Sequence, residues 1–263
     1  MRVAAAQLPP QDDSDDKLFT TSNAVIMLDG ASAFVPVPVA AATYADQLGR
    51  HIQATLIARP DADLADALAD AIEATAGELS LSPGESPSST VAIARARQDT
   101  ADLLVLGDTD IVTPHETVRD DRLAQLSLAP HQKYRDRLAA GGGYDDEHRR
   151  LLRELQAEQA QHRNHDGGYW IAEASPEAAR HAMTASHPVS ETPWLVLATD
   201  GAYKTMAHLE LDDWPSVARG TEQQLAAVLA RCREWEQHQD PQGRDLPRAK
   251  RHDDKCLAAV QLA

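Results

Sequence analysis

Ala24-Val25-Ile26-Met27-Leu28-Asp29-Gly30 is the stretch from which the fold of this 263-residue chain is read. Five apolar residues in a row, β-branched in part, end abruptly on Asp-Gly, the pattern of a strand buried on both faces that delivers an aspartate at its tip. The same pattern recurs downstream. Residues 90–94 and 102–106 read as neighbouring strands with a turn near Gln98-Asp99, and the second runs into Gly107-Asp108-Thr109. Residues 194–198 form another apolar run closing on Thr199-Asp200-Gly201, and a last one, 256–260, is entered through His252-Asp253-Asp254. Four apolar strands thus begin or end on aspartate, and Asp12, Asp13, Asp15 and Asp16 precede the first by about a strand and a turn.

Between the strands the period changes. Tyr44, Leu48, Ile52 and Leu56 share one helical face within residues 39–58, and Leu64, Leu68, Ile72 and Leu79 share another in a helix that follows from Asp61. Residues 80–89 are rich in Ser, Pro and Gly and read as a surface loop. Residues 115–166 form a polar insertion, with Gly141-Gly142-Gly143 as a joint and a helix over 145–162 whose apolar stripe is thin (Leu151, Leu152, Leu155). A short strand over 169–172, a helix opened by Ser175-Pro176-Glu177 and a long helix over 213–235 complete the expectation. Strand clusters separated by helical pairs indicate one layered α+β domain over residues 1–263.

Composition narrows the function. Lysine and arginine total 25 against 41 aspartates and glutamates, a formal charge of −16, which repels nucleic acid and anionic lipid. Arg149, Arg150 and Arg153 alternate with Glu147, Glu154 and Glu158 at helical spacing, as on a solvated face, so they form no basic patch. Aromatic residues at 4% leave little for stacking on bases or sugars. Neither a secretory segment nor a membrane-length apolar run is read, so the expected location is cytoplasmic. Cys232 and Cys256 lack ligand spacing.

One Asp-Gly after a strand is an ordinary turn signal. Several carboxylates converging at strand ends are different, because their mutual repulsion calls for a bound hard cation with oxygen ligands, best Mg²⁺ or Mn²⁺.

In its ordered motifs the chain resembles the metal-dependent protein phosphatases of the 2C type, the PPM family, in a divergent actinobacterial form. Ser14-Asp15-Asp16 stands where that family has Asn-Glu-Asp, Leu28-Asp29-Gly30 where it has its first Asp-Gly, and Leu106-Gly107-Asp108-Thr109 where it has Gly-Asp-Ser. Leu197-Ala198-Thr199-Asp200-Gly201 is similar to its Leu-Ala-Ser-Asp-Gly, and His252-Asp253-Asp254 to its Asp-Asn or Asp-Asp. The resemblance implies a four-layer α-β-β-α sandwich of two antiparallel sheets flanked by helices, with two metal ions at one edge. It implies that Asp29 bridges both ions, that Asp200 and Asp253 hold one, and that Asp15 and the Gly30 carbonyl hold the other. Asp16 would hold metal-bound water, and Asp108 with Asp200 a third ion. The catalytic set Asp29, Asp200 and Asp253 would act through a metal-activated, bridging hydroxide that attacks phosphorus in line.

The implied function is hydrolysis of phosphomonoesters, foremost phosphoserine or phosphothreonine in proteins. A small phosphorylated metabolite is the alternative substrate, and a non-catalytic regulatory or binding module of the same fold the alternative role. Departures from the family pattern are concrete. The arginine that grips phosphate upstream of the first motif falls near Gln11 here, with Arg2 the only earlier arginine; the motif's glutamate is shortened to Asp15; and the histidine two places after the first Asp-Gly aspartate is Ala31. Of the 11 histidines, His252 is the best-placed proton donor.

Overall fold

The computed structural model describes residues 1–262. Its strands are β1 (Arg2–Leu8), β2 (Asp16–Thr20), β3 (Ala24–Gly30), β4 (Ser89–Ala96), β5 (Thr100–Leu106), β6 (Asp110–Val112), β7 (Thr117–Val118), β8 (Met183–Pro188), β9 (Trp194–Ala198) and β10 (Lys255–Gln261). Its α-helices are α1 (Ala41–Ala58), α2 (Leu64–Glu78), α3 (Arg122–Gln125), α4 (Ala129–Ala139), α5 (Asp146–Ala160), α6 (Asp200–His208), α7 (Trp214–Val217) and α8 (Glu222–His238).

Two five-stranded sheets, ordered β1-β10-β9-β6-β7 and β2-β3-β4-β5-β8, pair antiparallel throughout. Strand alternation makes the layers. In β3, Val25 and Met27 face the second sheet and meet Leu195, Leu197, Ala258 and Val260, whereas Ile26 and Leu28 face outward onto Tyr44, Leu48 and Ile52 of α1. On the other side, Val196, Leu257 and Ala259 pack against Met206 of α6 and Leu225 and Leu229 of α8. Strands β3, β5, β9 and β10 are covered on both faces, which is why they read as unbroken apolar runs. Each such Ile or Leu contributes about 1.5–3 kcal/mol by leaving water. The expected four-layer α-β-β-α sandwich is the observed one.

Three of the expected elements take another form. Residues 169–172 make two isolated bridges, Ser89 with Ala172 and Arg163 with Tyr169, because the Asn164 side chain takes the Ile171 N–H at 2.9 Å in place of a neighbouring strand. The segment opened by Ser175-Pro176-Glu177 is a 3₁₀ turn, Pro176–His181. The long helix over 213–235 is two helices: the chain breaks at Gly220, and Thr221 starts α8 with a capping box, its N–H donating to Gln224 Oε1 at 2.8 Å. The insertion has a small core of its own, Leu128, Tyr134, Leu138, Leu151, Leu152 and Leu155, between α4 and α5.

Candidate metal centre

The antiparallel registers bring the aspartate-bearing strand ends to one edge of the sandwich. Asp16 opens β2 directly opposite Asp29 near the end of β3, and Asp29 lies opposite Thr90 of β4. Leu106 ends β5 opposite Val91, which leads through Gly107 to Asp108. Gly107 has φ +89, and a Cβ there would stand 2.8 Å from Thr90 Cγ2, so glycine is required. In the second sheet, Ala198 pairs with both Leu257 and Asp110, which sets Asp200 beside the loop that carries Asp253 into β10. Asp200 does not close a turn after β9 as expected; it is the first residue of α6, directly after Thr199, so its carboxylate lies at the positive end of the helix. This helix start packs on the loop closely: a Cβ on Gly201 would stand 2.1 Å from the Asp254 carbonyl oxygen.

Asp15 and Asp16 have different surroundings. Asp15 donates its N–H to Asp254 Oδ2 at 2.6 Å, its carbonyl accepts from the Gly30 N–H at 3.2 Å, and its carboxylate, about a third exposed at 35%, stands 3.8 Å from Lys250 Nζ. Asp16 is fully buried. Its Oδ2 accepts from Thr199 Oγ1 at 2.9 Å, while its Oδ1 has no partner. Ser14 ties the two ends together, its hydroxyl donating to Asp254 Oδ2 at 3.1 Å and accepting from the Asp16 N–H at 3.0 Å. Below, a buried pair, Lys255 with Glu236 at 2.7 Å, braces the same loop, since Lys255 also donates to the Asp253 carbonyl at 2.9 Å.

Carboxylates this close repel one another, and their protons bind more tightly as a result. Burial, reinforced by the charges of Asp16, Asp200, Asp253 and Asp108, raises Asp29 well above the usual carboxylate range. Burial likewise raises Asp16, with the Thr199 bond opposing it and Asp253, Asp254 and Asp200 adding to it. Burial also lifts Asp253 and Asp108, against the pull of Lys250 and Lys204 respectively. Asp200 goes the other way: burial alone would raise it, but the Lys204 ammonium at 2.7 Å holds it low.

These two lysines are what sequence reasoning missed. Lys204, on α6, also stands 3.6 Å from Asp108, and Lys250 stands 3.0 Å from Asp253. Burial would lower Lys204, yet Asp200 and Asp108 keep it well above its usual range, and Asp253 outweighs burial in the same way at Lys250. Among the described residues no three His, Cys, Asp or Glu side chains converge as a ready chelate. The donor set is nevertheless that of a hard divalent cation: carboxylate oxygens throughout, held at strand and helix ends, with the buried Asp16 Oδ1 unpartnered. Mn²⁺ or Mg²⁺ therefore fits the chemistry of the residues present.

Asp29, Asp108, Asp200 and Asp253 line a cavity of about 280 Å³ whose opposite wall is the insertion, including Leu123 of α3, Tyr134 of α4 and Leu152 of α5. Gln156 of α5 fastens this wall, its Oε1 accepting the N–H groups of Phe34 at 2.7 Å and Val35 at 3.1 Å. A second cavity of about 310 Å³, between Arg163 and Pro83, contains none of these aspartates. His252 turns away from the cluster toward Glu236, at 3.3 Å, whereas His131 of α4 lines the aspartate cavity. Arg2 sits at the far end of β1, opposite Gln261, and Gln11 accepts from Leu18 N–H and Lys17 within its own turn.

No protein-family model matches the chain, and no curated protein does. Solved structures do. Stp1, a serine/threonine phosphatase from Staphylococcus aureus, aligns at TM-score 0.59 and 10% identity over 99% of this chain and 95% of its own. A bacterial serine phosphatase aligns at TM-score 0.56 and 12% identity over 98% and 97%. The catalytic domain of the serine/threonine protein phosphatase PstP, solved in complex with 2 manganese ions, aligns at TM-score 0.50 and 13% identity over 98% and 96%. Similarity end to end at such low identity is a likeness of architecture, and this chain has the fold of the PPM-type serine/threonine phosphatases.

Proposed function

We propose that the chain is a metal-dependent phosphomonoester hydrolase that uses Mn²⁺ or Mg²⁺ and acts on phosphoserine or phosphothreonine. The observation that carries this reading is the set of aspartates, Asp29, Asp108, Asp200 and Asp253, that lines one cavity beside the unpartnered Asp16 Oδ1, at the edge of a sandwich shared with such phosphatases. Asp29, Asp200, Asp253, Asp15 and the Gly30 carbonyl are the proposed metal ligands, with Asp16 and Asp108 behind them. When bound, a pair of divalent ions would supply an activated water and neutralise charge on the phosphoryl group.

The remaining roles belong to the chain itself. Asp29 enters from the first sheet and Asp200 and Asp253 from the second, so the sandwich edge holds the acid groups at fixed separation. The Thr199 hydroxyl orients Asp16 by donating to Oδ2, which leaves Oδ1 unpartnered. Ser14 and Lys255 hold the Asp253–Asp254 loop in place. Lys250, which lines the cavity beside Asp253, supplies the positive charge for a phosphoryl oxygen that the family's arginine supplies elsewhere. As a point charge on a flexible stem it grips less specifically than a guanidinium fork. The wall formed by α3, α4 and α5 limits water at the cavity.

A second reading, a small phosphorylated metabolite as substrate, is favoured by that wall: the cavity of about 280 Å³ beneath α3, α4 and α5 has the dimensions of a small-ligand site. The test is turnover of p-nitrophenyl phosphate, phosphopeptides and a panel of phosphorylated metabolites with Mn²⁺, Mg²⁺ or EDTA. Metal-dependent turnover is expected, and the better panel identifies the substrate class. Inactivity on every substrate with both metals would overturn the proposal.

A further inference from the structure

Lys204 lies one helical turn after Asp200 on α6, and its ammonium is held between two carboxylates from different sheets, 2.7 Å from Asp200 and 3.6 Å from Asp108. Two acid groups facing across a cleft require a cation, and here the chain provides one on a tether. Its position is built. Asp200 and Lys204 share a helix face by their four-residue spacing, the start of α6 is fixed by the close approach of Gly201 to the Asp254 carbonyl, and Asp108 is fixed by the left-handed Gly107. The lysine stem also passes Tyr203, whose ring centre is 5.8 Å from the ammonium. Lys250 is placed differently: it comes from a loop and faces Asp253 and Asp15 rather than Asp108.

We infer that Lys204 is a resident cation for the Asp108–Asp200 gap, so that this gap takes no divalent ion, and that the chain binds one fewer metal than its carboxylates would otherwise hold. The ammonium excludes a divalent ion by occupying the space between the two carboxylates and by repelling it. It also gives the cleft a fixed positive charge that metal removal does not abolish. The inference rests on the acid cluster proposed above as the metal centre, but not on its catalytic activity.

The test is metal stoichiometry, read by calorimetric titration with Mn²⁺ and by native mass spectrometry. Lys204→Asp should bind one Mn²⁺ more than the unmodified protein, whatever number that protein binds. An unmodified protein that binds none while the variant gains one would sink the two-metal reading of the cluster and leave the tethered cation standing. Equal stoichiometry in the two proteins would overturn the inference. Asp108→Asn serves as a second probe should Lys204→Asp fail to fold, with circular dichroism as the check on both. With the gap filled by Lys204, Asp108→Asn leaves the Mn²⁺ count of the unmodified protein as it was; loss of one ion would mean that a metal, not the lysine, occupies the gap.

Discussion

Asp240 and Asp16 are both buried, and their surroundings are opposite. Asp240, after α8, accepts from the N–H groups of Arg244 at 2.6 Å, Asp245 at 3.2 Å and Leu246 at 3.2 Å, and from the Arg248 guanidinium at 2.7 Å. Burial alone would raise its pKa, but these donors hold it below the usual range. Asp16 receives one hydroxyl, keeps one oxygen unpartnered, and looks at three further carboxylates, so its pKa is raised. Where the chain satisfies a buried charge with its own donors, the charge serves the fold. Where it leaves several such charges unsatisfied at one edge, the partner we propose for them is an external cation.

The largest effect is expected at the centre of the cluster. Asp29→Asn removes the carboxylate common to both proposed ions, and metal-dependent turnover of p-nitrophenyl phosphate should fall on the order of 10³-fold. A steady-state assay at saturating Mn²⁺ reads this directly, and wild-type turnover in that variant would contradict the role of the cluster.

Asp240→Ala should do the reverse. It strands Arg248, whose side chain is only 11% exposed, and should cost about 3–5 kcal/mol in a urea melt. Asp16→Asn should leave the metal-free protein as stable as before or more so, because it removes one member of a repelling set, and should weaken Mn²⁺ binding roughly 10–100-fold. A stability loss in Asp16→Asn equal to that in Asp240→Ala would erase the distinction between the two acids.

The smallest effect is the pH dependence of the metal-free protein. Asp16 and Asp29 have raised pKa values when folded, so their contribution is fully present below the unfolded carboxylate pKa of about 3.9 and is lost as pH rises through their folded values. Asp240 has a lowered value, so its contribution is present above about 3.9 and is lost only as pH falls through its folded value. Thermal melts in EDTA should therefore show a lower Tm at about pH 8 than at about pH 5, and saturating Mn²⁺ should remove that slope. A Tm in EDTA that rises over this interval would mean that the cluster is already compensated within the chain.

The strands that carry the aspartates were legible because burial on both faces writes itself as an unbroken apolar run, as in β3, β5, β9 and β10. The edge strand β1 was not, since Ala4-Ala5-Ala6 suits a helix as well as a strand, and only pairing with β10 decides. The start of α6 was hidden because Asp200-Gly201 is also a turn signal; glycine stands there because the Asp254 carbonyl leaves no room for a Cβ. Nor was the Gly220 break before α8 anticipated, although the Thr221-Gln224 capping box was a signal present in the chain.

The site divides in the same manner. Asp29, Asp108, Asp200 and Asp253 were legible as strand ends, and the fold brings them to one edge. Lys204 and Lys250 were not, because what a long flexible side chain reaches depends on tertiary placement; for Lys204 the four-residue offset from Asp200 would have pointed to it had α6 been recognised. In the segment over 115–166 the helix after Asp145 was legible, but α3 and α4 were not, and the segment's place as the far wall of the aspartate cavity follows only from its packing.

The central claim is that the acid cluster holds divalent cations, and the most direct measurement is anomalous scattering at the manganese edge from crystals soaked in Mn²⁺. Peaks are expected within coordinating distance of Asp29, Asp200 and Asp253, and none between Asp108 and Asp200, where Lys204 remains. A map without peaks at the cluster, with Lys204 and Lys250 still paired to its carboxylates, would contradict it.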